Sequence, residues 1–323
     1  MLLSSVAVVA GFILLVWGAD RFVLGASATA RNFGVSPLIV GLTIVGFGTS
    51  APEMLVSGVA AYQGNPGISI GNALGSNITN IALVLGITAL VVPLTVHSAI
   101  IKRELPILLL VMVLAVLLMV DGDLGRVDGF LLLLGMCLMI FWVVRLGLRE
   151  RNTTDLMSSE FDAEMPAEMT TLRATVWLVI GMVVLFASSQ ILVWGAVNIA
   201  RAFGVSDLII GLTIIAIGTS LPELAASVMS ALKNEHEMAL GNIIGSNMFN
   251  ILGVMALPGL IYPAAIPEGV LARDYPVMIG LTIALLLMAY GFRGRDGKIN
   301  RFEGGLLLVA YIGYMYLLYR ASV

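Results

Sequence analysis

Between Arg31 and Lys102 the chain carries one formally charged side chain, Glu53, and between Asp207 and Lys233 again only one, Glu223. Uncharged apolar stretches of this kind recur along the whole sequence. Only 11% of the 323 residues are charged, 59% are hydrophobic and mean hydropathy is +1.02. An ordinary soluble domain carries about 25% charge, so this chain has too little to coat a water-facing surface. A bilayer core needs about 20 apolar residues per helix. The runs 3–27, 36–62, 68–92, 104–120, 127–147, 172–198, 206–232, 238–262, 274–291 and 304–320 meet that length, which predicts an all-α integral membrane protein of ten helices. The net charge of −3 and the lack of a long basic run exclude nucleic acid as a partner. The one cysteine, Cys137, excludes a disulfide framework and a thiolate metal site.

The one sizeable polar segment, 149–171, holds Glu150, Asp155, Glu160, Asp162, Glu164 and Glu168 and reads as a solvated linker between a first half, 1–148, and a second, 172–323. Of the 17 Lys and Arg residues, thirteen fall in or beside the loops that follow odd-numbered spans. Positive charge marks the cytoplasmic side, so the linker is expected in the cytoplasm and both termini outside. Tyr311, Tyr314, Tyr316 and Tyr319 near the C-terminus suggest an interfacial aromatic belt.

The two halves are copies. GLTIVGFGTSAPE at 41–53 returns as GLTIIAIGTSLPE at 211–223, and GNALGSNITNI at 71–81 as GNIIGSNMFNI at 241–251, both 170 residues later. Arg31, Phe33, Gly34, Val35 and Ser36 match Arg201, Phe203, Gly204, Val205 and Ser206 at the same shift, as Arg103 and Pro106 match Arg273 and Pro276. Each half holds five predicted helices. Tandem halves with an odd number of helices enter the membrane from opposite sides, which makes them inverted repeats, and transporters of that plan bind substrate near mid-membrane between the halves.

The best-matched residues are polar ones inside apolar spans. Glu53 and Glu223 are repeat mates, and a carboxylate at this depth costs at least ~2.5 kcal/mol, a cost that usually marks function. Thr49 and Thr219 lie four residues earlier, on the same helix face. Pro52 and Pro222 cannot donate to the carbonyls of Gly48 and Gly218, so the helices are expected to break there and free backbone oxygens. Ser76 with Asn80, and Ser246 with Asn250, are again four apart. The resulting set is carboxylate, hydroxyl, amide and carbonyl oxygen, which suits a hard cation of flexible coordination such as Ca²⁺ rather than zinc or copper. The two histidines, His97 and His236, fall near predicted membrane edges. Gly71, Gly75, Gly241 and Gly245 are expected to permit close helix packing. No Ser/His/Asp constellation is present to support hydrolysis, so no enzymatic activity and no cofactor are expected.

GTSAPE, GTSLPE and the paired GN-x-x-GSN segments resemble the two α-repeats of the sodium/calcium exchanger family, within the cation/Ca²⁺ antiporter superfamily, over nearly the whole chain. The resemblance implies exchange of Ca²⁺ for Na⁺ by alternating access at one shared site. It assigns ion binding to Glu53 and Glu223, to Thr49, Ser50, Thr219 and Ser220, to Ser76, Asn80, Ser246 and Asn250, and to the backbone oxygens of Gly46 and Ala216. Many members carry an aspartate at one of the positions held here by Asn80 and Asn250, so this core is one carboxylate poorer. The short linker suggests a prokaryotic inner-membrane protein with membrane lipid as its surroundings and no obligate protein partner. An H⁺/Ca²⁺ antiporter is the second reading, and a cation channel with the glutamate pair as its filter is a third.

Overall fold

The structure, a computed structural model, describes residues 1–96, 99–150, 169–203, 216–290 and 297–322. Most of the linker, His97, the 204–215 copy of the 34–45 segment, and Arg293 and Arg295 lie outside the described residues.

The described chain is almost entirely helical, as an apolar sequence without alternating strand patterns requires. The helices are α1 (Leu2–Phe33), α2 (Leu38–Thr49), α3 (Ala51–Tyr62), α4 (Pro66–Val91), α5 (Ala99–Leu118), α6 (Arg126–Glu150), α7 (Thr171–Ala202), α8 (Ala216–Thr219), α9 (Leu221–Leu232), α10 (His236–Ile261), α11 (Val270–Ala289) and α12 (Arg301–Ser322). Seven of them are long and apolar enough to cross a membrane, and an eighth span follows if α2 and α3, bent by 42° at Ser50, count as one. The chain is a multi-pass membrane protein. α10 and α4 are the most enclosed, with 89% and 72% of their most apolar stretch buried, against 22% for α6, α7 and α12.

Several predicted ends move. α1 continues past residue 27 to Phe33, and Asp20 and Arg21 lie inside it. They are accommodated there: Lys233 closes on Asp20 at 2.7 Å, and the Arg21 guanidinium stacks 4.9 Å from the Trp177 ring. Two of the four belt tyrosines are not at a lipid surface. Tyr311 and Tyr314 are buried, and Tyr314 donates to Asp274 Oδ1 at 3.1 Å, leaving Tyr316 and Tyr319 exposed. A single helix periodicity explains this, because 311 and 314 share a face that 316 does not.

Contacts between helices repeat at the same 170-residue interval as the sequence. α1 crosses α7 with backbones almost touching. A Cβ on Gly11 would meet the Leu192 backbone, while one on Gly181 would meet that of Phe22, the repeat mate of Leu192. Gly25 faces Ala174 and Leu178 as Gly195 faces Ser4 and Val8. Only a residue without a side chain fits such a crossing. Two short ribbons join the halves in the same reciprocal way: Leu94–Val96 pairs with Gly297–Ile299, and Asp123–Leu124 with Ala264–Ala265, both antiparallel. The sequence gives no strand signal there. The ribbons form because residues just outside the helix ends can satisfy their backbone groups against each other.

Candidate cation site

Each glutamate sits where its helix breaks. Ser50 leaves helical geometry at φ −84°, ψ 1°, and Ser220 does the same at φ −91°, ψ 7°. The break follows from Pro52 and Pro222, which occupy the first turn of the next helix. Glu53 and Glu223 therefore lie in the first turns of α3 and α9, where unpaired N–H groups and the helix dipole favour negative charge. Of the freed carbonyls, Gly218 O is taken by the Ser189 hydroxyl of α7 at 2.9 Å. Gly46 O gathers Ser50 N–H at 3.1 Å, Ser246 Oγ at 3.3 Å and Thr49 Oγ1 at 3.5 Å.

The predicted residues converge. Glu53 and Glu223 are 0% and 1% exposed, and their carboxyls are close enough for one charge to act on the other. Ser50, three residues before Glu53, donates to Glu223 Oε1 at 3.4 Å. Neither oxygen of Glu53 nor Oε2 of Glu223 completes a hydrogen bond, although the Thr219 hydroxyl reaches toward Glu53. Ser76 and Asn80 on α4 and Ser246 and Asn250 on α10 are buried as well. Thr49 Oγ1 binds Asn242 Oδ1 at 3.0 Å and lies 3.2 Å from Ser246 Oγ, tying α2 to α10. Ala216 opens α8, three residues before Thr219.

Two features escaped the sequence reading. Asn72 donates to Ser57 Oγ at 2.9 Å and Glu53 O at 3.2 Å, and Asn242 makes the same pair of bonds to Ser227 Oγ at 2.9 Å and Glu223 O at 3.3 Å. These amides clamp each glutamate helix to its neighbour. The signal was present, since Asn72/Asn242 and Ser57/Ser227 recur 170 residues apart. The second feature is a π-helical turn beginning at Asn80 and another at Asn250, where Leu85 and Met255 donate five residues back to the carbonyls of Asn80 and Asn250. Such turns often occur at functional positions, and local sequence does not announce them. For the glycines, the second half can be followed, because the 38–45 segment that covers it is described while its 208–215 copy lies outside the described residues. Gly241 and Gly245 pack under α2, a Cβ on Gly245 coming within 2.5 Å of Leu42 O, whereas among the described residues nothing lies within 4 Å of a Cβ on Gly71 or Gly75.

These observations first define a class: a multi-pass helical membrane protein with an acidic, oxygen-rich core built twice. The sodium/calcium exchanger protein family model matches residues 3–145 and 173–320, and the chain belongs to that family, whose members are transporters. It is 53% identical to "Putative antiporter CaxA" of Alkalimonas amylolytica over 319 residues, 99% of each chain. It is 42% identical to "Inner membrane protein YrbG" of Escherichia coli K12 over 323 residues, covering 100% of this chain and 98% of that one. A solved structure of the sodium-calcium exchanger NCX_Mj, soaked with zero Na⁺ and Ca²⁺, superposes with TM-score 0.84 at 34% identity, covering 98% of this chain and 99% of the other.

Proposed function

We propose that this protein is a secondary active antiporter that exchanges Ca²⁺ for Na⁺ by alternating access at one central site, built by two inverted five-helix halves, 1–148 and 172–323. The observation that carries the reading is the buried, repeat-related pair Glu53 and Glu223, with three of four carboxylate oxygens making no hydrogen bond. Two carboxylates held together away from water repel each other and cost free energy. One Ca²⁺ neutralises both and fills its flexible shell from the hydroxyl, amide and carbonyl oxygens of Thr49, Ser50, Thr219, Ser220, Ser76, Asn80, Ser246, Asn250, Gly46 and Ala216. Sodium, another hard cation, uses the same oxygens one charge at a time, so the two ions compete. A core that is costly when empty discourages return without cargo, which is what coupling two fluxes requires. The likeness to NCX_Mj supports the same choice of ions. The Lys and Arg distribution supports a cytoplasmic linker and termini on the outside, and the likeness to an inner membrane protein supports a prokaryotic inner membrane.

The counter-ion is tested in proteoliposomes. Vesicles loaded with Na⁺ and diluted into Na⁺-free, Ca²⁺-containing buffer are expected to accumulate Ca²⁺, and vesicles with only an acid interior are not. Uptake driven by the proton gradient alone would assign the H⁺/Ca²⁺ reading. Uptake that needs neither gradient would assign a channel.

A further inference from the structure

The halves match in sequence, but two hydrogen bonds between them lack a counterpart at the 170-residue shift. Asn80 of α4 donates to Asn247 Oδ1 of α10 at 3.1 Å. The 170-shifted counterpart would run from Asn250 to Asn77, yet both side-chain atoms of Asn250 and Oδ1 of Asn77 are buried without a partner. Ser50 donates to Glu223 at 3.4 Å, while its counterpart Ser220 Oγ is buried and makes no matching bond to Glu53. The helices themselves differ in the same sense: Gly71 is exposed and Asn72 half-buried on α4, while Gly241 and Asn242 are buried on α10.

We infer that Asn77 and Asn247 are paired positioning residues for the two access states, a proposal that rests on the alternating-access reading. In the state described here Asn247 accepts from Asn80. In the oppositely facing state Asn250 donates to Asn77, Ser220 donates to Glu53, and the Asn80–Asn247 and Ser50–Glu223 bonds open. Each state then makes one Asn–Asn and one Ser–Glu bond and leaves the mirror pair of bonds unmade. A buried polar group left without a partner is expensive, and here the same expense falls on either side of the exchange. The two states are thereby held close in free energy, as a carrier that must visit both requires. Neither Asn77 nor Asn247 is among the proposed ion ligands.

The test uses N77L and N247L, which remove the amide at nearly constant volume, with N77A and N247A as replacements should a leucine variant not fold. Hydrogen–deuterium exchange is followed on peptides covering 71–76 and 241–246 of the purified, detergent-solubilised full chain. N247L removes a bond of the described state and is expected to slow exchange in 71–76 and speed it in 241–246. N77L does the reverse, each by roughly fivefold, the worth of one buried hydrogen bond. The double variant returns both peptides toward the unsubstituted rates, because each state has then lost one bond. Shifts in the same direction for both single variants, unchanged rates, or damage that adds up in the double variant would overturn the proposal. This readout needs no ion flux, so Na⁺-driven uptake by the unsubstituted protein judges the antiport reading separately.

Discussion

Glu53→Gln and Glu223→Gln are each expected to abolish Na⁺-driven Ca²⁺ uptake while leaving the protein folded. Glutamine keeps the shape and one oxygen but removes the charge. Removing the charged partner of a buried ion contact, here a carboxylate against the bound cation, typically costs 2–5 kcal/mol, and a loss of about 3 kcal/mol weakens binding roughly 100-fold. Without a bound ion the sign reverses for stability. Each carboxylate is enclosed at 0–1% exposure beside another, so replacing it with a neutral amide relieves both burial and repulsion. The variants should therefore melt no lower than the parent in ion-free detergent, measured by thermal unfolding, and should lose most of the stabilisation that added Ca²⁺ gives the parent. A variant that melts lower in ion-free buffer would show that the carboxylate serves the fold.

The second large effect concerns the α1–α7 crossing. Gly181→Leu is expected to destabilise the protein by on the order of 3 kcal/mol, because any Cβ there runs into the Phe22 backbone and cannot be relieved by a rotamer change. Gly313→Leu on α12 is the control. Among the described residues nothing lies within 4 Å of a Cβ at 313, so the expected change is below about 0.5 kcal/mol. Thermal unfolding followed by size-exclusion fluorescence separates the two. Equal melting temperatures would mean that the close crossing contributes little to the fold.

The helices were legible because lipid requires long apolar runs with internally satisfied backbones. Glu53 and Glu223 stood out because they are the lone charges in those runs. The breaks at Ser50 and Ser220 followed from prolines whose effect on a helix is local. What the sequence concealed depends on distant partners. The π-helical turns at Asn80 and Asn250 and the two cross-half ribbons are shaped by packing between segments far apart in the chain. The burial of Tyr314 depends on a distant partner, Asp274 of α11, which accepts its hydroxyl. Gly71 and Gly241 stand in matching motifs, yet a Cβ on Gly241 would meet Leu38 and Leu42 of α2 while among the described residues nothing lies within 4 Å of one on Gly71.

Equilibrium binding of radioactive Ca²⁺ to the purified protein addresses the two glutamates most directly. One displaceable Ca²⁺ per chain, competed off by Na⁺ and lost in both E53Q and E223Q, is the expected result. Undiminished Ca²⁺ binding in either variant would contradict the assignment of the site.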